Sequence, residues 1–121
     1  MIAVIFEVIP HNGRAQTYLD LAAQLRPALE RMDGFISVER FESLTEHGKY
    51  LSLSFWRDDE AVAAWRRVEV HRAAQTAGRG SIFKNYRLRV AAVLRDYGLN
   101  EREQAPADSR EVHASADTGL K

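Results

Sequence analysis

The chain predicts an α+β fold of the ferredoxin-like kind: a βαββαβ unit with an antiparallel four-stranded sheet and both helices on one face. Three observations predict it. Four β-rich segments, "MIAVIFEVIP", "FISVERFESL", "YLSLSFW" and "SIFKNYRLRVAAVLRDYG", are spread along the chain. The stretches after the first and the third carry apolar residues at helical spacing. The second and third are joined only by "TEHGK", the turn of a hairpin. Right-handed crossovers leave few ways to close such an order.

The first segment is a β-branched run that stops at Pro10. "HNGRA" turns the chain, with Asn12 the expected N-cap. In the first helix the apolar residues fall at Tyr18, Leu21, Ala22, Leu25, Leu29 and Met32. Pro27 interrupts this pattern and predicts a kink or a lost backbone bond. Asp33-Gly34 ends the helix, with Gly34 free to take a left-handed conformation. On the second strand, Ile36 and Val38 face one way and Ser37, Glu39 and Ser43 the other. On the third, Leu51, Leu53 and Phe55 alternate with Ser52, Ser54 and Trp56, and the aliphatic set is expected to meet the helices. Asp58, Asp59 and Glu60 open the second helix as the macrodipole favours. Ala61, Val62, Ala64 and Trp65 form its inner face, "RRVEV" predicts a bend, and Gly78 and Gly80 predict its end. The last strand carries Leu88, Val90 and Ala92 on one side. Residues 1–98 read as the domain. Residues 99–121 turn polar, lack aromatic residues and read as a flexible C-terminal tail.

Bulk composition narrows the functions. Seventeen basic residues balance seventeen acidic ones, so no global field points to nucleic acid or to a membrane surface. The absence of cysteine excludes disulfides, thiolate chemistry and cysteine-ligated metal. No apolar run spans a bilayer, and the N-terminus has no basic leader. A cytoplasmic protein is expected.

A sheet covered on one side does not need apolar residues on the other. Here the first strand has Ile2, Val4, Phe6 and Val8 on one side, and Ala3, Ile5 and Ile9 on the opposite one. Phe41 and Trp56 are also expected on the open face. A second copy of the sheet, in a homodimer, is the simplest cover. Ser37, Glu39, Ser52, Ser54, Arg87 and Arg89 are expected among these aromatics, which suits a ligand cavity.

Motifs for common chemistries are absent. No histidine pair has metal-ligand spacing, so no metal site is expected. No nucleophile elbow or phosphate loop is present. His11 and His47 fall in turns and His113 in the tail. Trp65, His71 and Gln75 remain, the last two one turn apart on one helix.

The strand "LSLSFW", the second Trp nine residues later in "AAW", then "EVHRAAQ", together with "DGFISVERFESL", resemble the antibiotic biosynthesis monooxygenase family. The resemblance covers roughly residues 1–98. It implies a dimeric α/β barrel and an oxidoreductase acting on a small molecule, but no single reaction. In haem-degrading members an Asn stands on the first strand and an iron-ligating His ten residues after the Trp. Those positions are Phe6 and Gln75 here, which weighs against that chemistry unless His71 reaches the iron. Cofactor-free members place an ionisable side chain about six residues after the Trp, and His71 stands there. Their polar residue four before the Trp is Ala61, so the oxyanion needs another partner, with Asn85, Arg87 or Arg89 available.

The first expectation is therefore a cofactor-independent monooxygenase-like enzyme using dioxygen on a small aromatic or polyketide-like substrate. His71 and Trp65 carry the chemistry; Phe6, Trp56, Gln75 and Arg87 line the substrate. A His near neutrality suits removal of a proton from a phenol or enol, whose anion can reduce dioxygen without metal or flavin. The second expectation is a haem-binding or haem-degrading monooxygenase. The third is a non-enzymatic, stress-related dimeric barrel that binds a small ligand.

Overall fold

The computed structural model describes residues 1–75 and 82–110, and side chains over 1–69 and 82–110. The elements run β1 (Ile2–Pro10), α1 (Ala15–Glu30), β2 (Phe35–Glu42), β3 (Tyr50–Trp56), α2 (Asp59–Gln75) and β4 (Phe83–Ala92). The sheet is antiparallel in the order β2-β3-β1-β4. The predicted ferredoxin-like order is what is found.

Local corrections have simple causes. Asn12 does not cap α1; Arg14 occupies the cap without a side-chain bond. The entry is closed by backbone instead: the Arg14 amide donates to the His11 carbonyl at 2.9 Å, and the Tyr18 amide to the Arg14 carbonyl at 3.0 Å. Pro27 stays inside α1 on its exposed side, where water can serve the carbonyl its ring leaves without a partner. Gly34 is left-handed, at φ +86°. A Cβ there would lie 2.7 Å from the Ala61 Cβ, so the turn needs glycine for both conformation and space. α2 runs unbroken through "RRVEV" as one helix to Gln75, not as two helical pieces. Its start is capped by Asp58, whose Oδ1 accepts from the Ala61 amide at 2.9 Å. Arg57 holds Asp33 and Asp58 together at 3.0 Å each, and both carboxyls titrate below their usual range. Gly78 and Gly80 lie outside the described residues.

Both helices pack on the side of β1 that carries Ile2, Val4, Phe6 and Val8. One cluster joins Leu29, Trp56, Ala61 and Trp65 with Ile2, Val4, Phe35 and Val38. The other joins Val8, Tyr18 and Ile82 with Phe6, Leu19, Leu21 and Tyr50. Register decides the face of β3. Trp56 pairs with Ile2, Ser54 with Val4 and Ser52 with Phe6, and directly paired residues share a face. Trp56 therefore lies under the helices, 1% exposed, and not on the open face. Ser52 and Ser54 go with it. Leu51, Leu53 and Phe55 take the open face, the reverse of the expectation. Phe41, paired with Leu51, lies on the open face as expected.

The segment after β4 closes on itself. Arg102 donates to the Gly98 carbonyl, the Ser109 carbonyl and the Ser109 hydroxyl, and sits over the Tyr97 ring at 5.3 Å. Among the described residues, the hydrogen bonds of 96–110 stay within that stretch. His113 lies outside the described residues.

Candidate functional site

Strand register arranges the helix side of the sheet in four rows. Phe35, Trp56, Ile2 and Ala92 form the first; Val38, Ser54, Val4 and Val90 the second. Arg40, Ser52, Phe6 and Leu88 form the third, and Glu42, Tyr50, Val8 and Tyr86 the fourth. The first two rows are core. Trp65 reaches down from α2 and stacks on Trp56, with centroids 6.5 Å apart at 29°. The Trp56 indole Nε1–H donates to the Ser54 hydroxyl at 2.9 Å, which satisfies two buried polar groups at once.

Polar character enters in the third and fourth rows. Arg40 faces the helices with its Nε buried and without a hydrogen-bond partner among the described residues. Glu69 stands one turn after Trp65 on α2. As a residue it is exposed, yet the protein around its carboxyl pushes its pKa up, and the Arg40 charge pulls it only part of the way back. A carboxyl shifted in that direction is a better proton acceptor near neutrality than an ordinary one. A guanidinium close by can steady a developing anion.

The helices cover β2, β3 and β1 but leave the helix side of β4 open among the described residues. Tyr86 is 60% exposed and Leu88 51%. Beside this opening lies an aromatic chain. Phe6 sits 5.9 Å from Phe83 and 5.7 Å from Tyr86; Tyr18 sits 5.8 Å from Phe83 and 6.0 Å from Tyr50. This side of the sheet thus offers an apolar aromatic wall, a few polar groups and an open edge along β4, groups of the kind that line small-molecule sites.

The predicted site residues divide. Phe6, Trp56 and Trp65 are on the helix side of the sheet. Arg87 is not: it pairs with Glu7 on the open face. Asn85 and Arg89 pair with Ile9 and Ile5 on that face too, so none of the three lies on the helix side with Trp65. Arg89 instead donates to Glu7 at 2.8 Å, and Lys49 approaches Glu7 at 3.7 Å; together they hold that carboxyl below its usual range. Ala61, at the polar position of cofactor-free relatives, is buried against Gly34. His71 and Gln75 belong to α2, but their side chains lie outside the described residues. Arg40, Tyr50 and Glu69 are candidate site residues that sequence reasoning missed; Ser52 was expected in a ligand cavity, but on the opposite face of the sheet. The only signal for them is strand parity: counting from Phe6 through a correctly registered β3 selects Ser52, and from it Arg40.

Haem can be tested against this side of the sheet. The β1 position facing the helices is the phenyl ring of Phe6, which offers no hydrogen bond to a ligand on iron. The two histidines with described side chains, His11 and His47, are exposed in turns. Among the described residues no group of three or more His, Cys, Asp or Glu could hold a metal ion. The described donors do not fit an axial haem ligand.

A family model described as antibiotic biosynthesis monooxygenase matches residues 1–77. A curated relative from Pyricularia oryzae, named as a jasmonate monooxygenase, is 43% identical over 112 residues. That match covers 92% of this chain and 52% of the relative, so the chain spans about half the relative's length. Among solved structures, the cofactor-independent oxygenase SnoaB from Streptomyces nogalater superposes with a TM-score of 0.65 at 14% identity, covering 78% of this chain and 94% of that one. The haem-degrader MhuD from Mycobacterium tuberculosis superposes at 0.62 and 21% identity, covering 81% and 100%. These structural likenesses establish the shared fold.

Proposed function

This chain belongs to the antibiotic biosynthesis monooxygenase family, and from that premise we propose that it is a cofactor-independent oxygenase whose site is the cleft between the helices and β4. The observation that carries the reading is the third row of the sheet. It sets Phe6, Ser52 and Arg40 side by side on the helix side, where Trp65 and Glu69 project from α2. Such a cleft suits a small, largely apolar molecule with one acidic C–H or O–H.

The chemistry is the net conversion RH2 + O2 → R=O + H2O. A base on α2 takes a proton from the activated substrate. The resulting anion gives an electron to dioxygen, and recombination forms a hydroperoxide that loses water to leave the ketone. His71 and Glu69 are the bases we assign to this step. Arg40 replaces the polar group missing at Ala61 and steadies the anion. Trp65 and Phe6 keep water from the anion and the peroxide. Gln75 is assigned to the substrate wall further along α2. A relative named as a jasmonate monooxygenase supports a small organic substrate.

We also assign the open sheet face to a second copy of this chain. Ile5, Ile9, Leu51, Leu53, Phe55 and Phe41 lie there, with Glu7, Arg87 and Arg89 among them. Both helices are on the other side, and a homodimer buries these residues.

The test is oxygen uptake with an anthrone probe. His71→Ala or Glu69→Gln should slow an active wild type by roughly 10²–10⁴-fold, the usual worth of a positioned base. Unchanged rates in both variants would remove α2 from the proton transfer. A haem reading predicts a different result: an axial-imidazole spectrum on adding haem, lost in His71→Ala and kept in Gln75→Ala.

A further inference from the structure

At the α1 end of the cleft stands a group with no work in the chemistry above. Tyr18 is 5% exposed, and its hydroxyl is buried without a hydrogen-bond partner among the described residues. Leaving a hydroxyl unpaired in the interior costs on the order of 1–3 kcal/mol. Phenylalanine would give the same ring contacts with Tyr50 and Phe83 without that cost. One turn before it, Arg14 has its Nε buried and likewise unpartnered. Backbone bonds tie this corner together: His11 donates to the Ile82 carbonyl, Arg14 to His11 and Tyr18 to Arg14. Both unpaired groups are donors, one of them positively charged. Phe83 packs on Tyr18, Phe6 and Tyr86 pack on Phe83, and Tyr86 and Phe83 reach solvent.

We propose that Arg14 and Tyr18 form an anion anchor that binds the carboxylate of a lipophilic organic acid, whose body lies along Phe6, Phe83 and Tyr86. The proposal rests on the helix-side cleft being the substrate site, and it names the substrate class. A carboxylate is acceptor-only and can take both bonds at once, and charge-assisted bonds in an apolar surround are the strong ones. Phe83 packs edge-on to both Tyr18 and Phe6 and is itself partly exposed, so turning this one ring admits the carboxylate. The anchor holds one end of the acid, while the proton is removed at the other end, near Trp65.

The experiment is calorimetric titration of the full chain with 2-naphthoate and with its uncharged counterpart 2-naphthamide. Wild type should bind naphthoate more tightly than naphthamide. Tyr18→Phe and Arg14→Gln should each weaken naphthoate by about tenfold or more, the effect of losing one charge-assisted bond, and leave naphthamide unchanged. Tyr18→Phe without ligand should melt at the wild-type temperature or above, because it removes an unpaired buried group. Equal affinity for the two probes, no binding of naphthoate at millimolar concentration, or a lower melting temperature in Tyr18→Phe with naphthoate affinity intact would overturn the anchor. Oxygen uptake separates the two readings. A Tyr18→Phe protein that keeps both oxygen uptake and naphthoate affinity defeats the anchor alone. A wild type that never takes up oxygen, yet loses naphthoate affinity on Tyr18→Phe, keeps the anchor and defeats the oxygenase.

Discussion

Replacing Trp56 by phenylalanine separates the core from the proposed substrate site. The indole is 1% exposed, stacked on Trp65 and edge-on to Phe35 at 5.4 Å. Going from indole to phenyl gives up roughly 40 Å² of buried apolar area, about 1 kcal/mol at ~25 cal/mol per Å². It also removes the donor to Ser54, leaving a hydroxyl buried and unpaired for about 1–3 kcal/mol more. The expected total is about 2–4 kcal/mol, read by urea unfolding as a lower midpoint at unchanged slope. Adding Ser54→Ala should return about 1 kcal/mol or more, because the orphaned hydroxyl goes with it. Oxygen uptake per folded molecule should stay at the wild-type value, since Trp56 offers a ligand no surface. A loss under about 1 kcal/mol, or Ser54→Ala adding to the damage, would refute this reasoning about the core. A large fall in turnover with stability intact would return Trp56 to the substrate wall.

Gly34→Ala should lower stability by more than about 1 kcal/mol in thermal melts, because the residue is left-handed and its new methyl would meet Ala61 at 2.7 Å. Leu53→Glu, in the middle of the open face, should convert a dimer to a monomer in sedimentation. A wild-type interface of the usual obligate kind buries upwards of ~2,000 Å² in all, so a wild-type monomer at micromolar concentration would exclude that assembly. Glu69 gives a pH signature. Its folded pKa is raised, so the folded state holds its proton more tightly, and stability falls as pH rises from the ordinary carboxyl value through the raised one. Glu69→Gln should therefore raise the melting temperature at pH 8 and leave it unchanged at pH 4; a uniform shift at both would deny the raised pKa.

How much of this was legible depends on how strongly each pattern was written. Element order came from long periodic runs and needed no tertiary information. The face of β3 did not, because "YLSLSFW" is apolar at both parities. Leu51, Leu53 and Phe55 compete there with Tyr50 and Trp56, and only pairing with Ile2 and Val4 resolves the choice. The bend expected at "RRVEV" came from an interruption in periodicity, which helix hydrogen bonding bridged. Trp65 was legible as an inner residue because its spacing from Ala61 and Val62 is helical. Phe6 was expected with Phe41 and Trp56 on the open face and lies under the helices instead, because β1 is apolar on both sides and only its packing partners settle the choice. Arg87 and Arg89 lie on the open face expected for them, but Trp56, Ser52 and Ser54, expected beside them, lie on the other side of the sheet. Arg40 and Glu69 were invisible: neither carries a local motif, and their relation exists only once β2 and α2 meet across the sheet.

The central claim is that the helix-side cleft oxygenates an organic substrate without a bound cofactor. The most direct measurement is one turnover of an anthrone probe by chelator-treated, haem-free protein under ¹⁸O₂, followed by mass spectrometry of the product. The account predicts one ¹⁸O atom in each product ketone, one dioxygen consumed per product, and loss of the reaction in His71→Ala or Glu69→Gln. Product free of ¹⁸O, or turnover that appears only after haem is added, would contradict it.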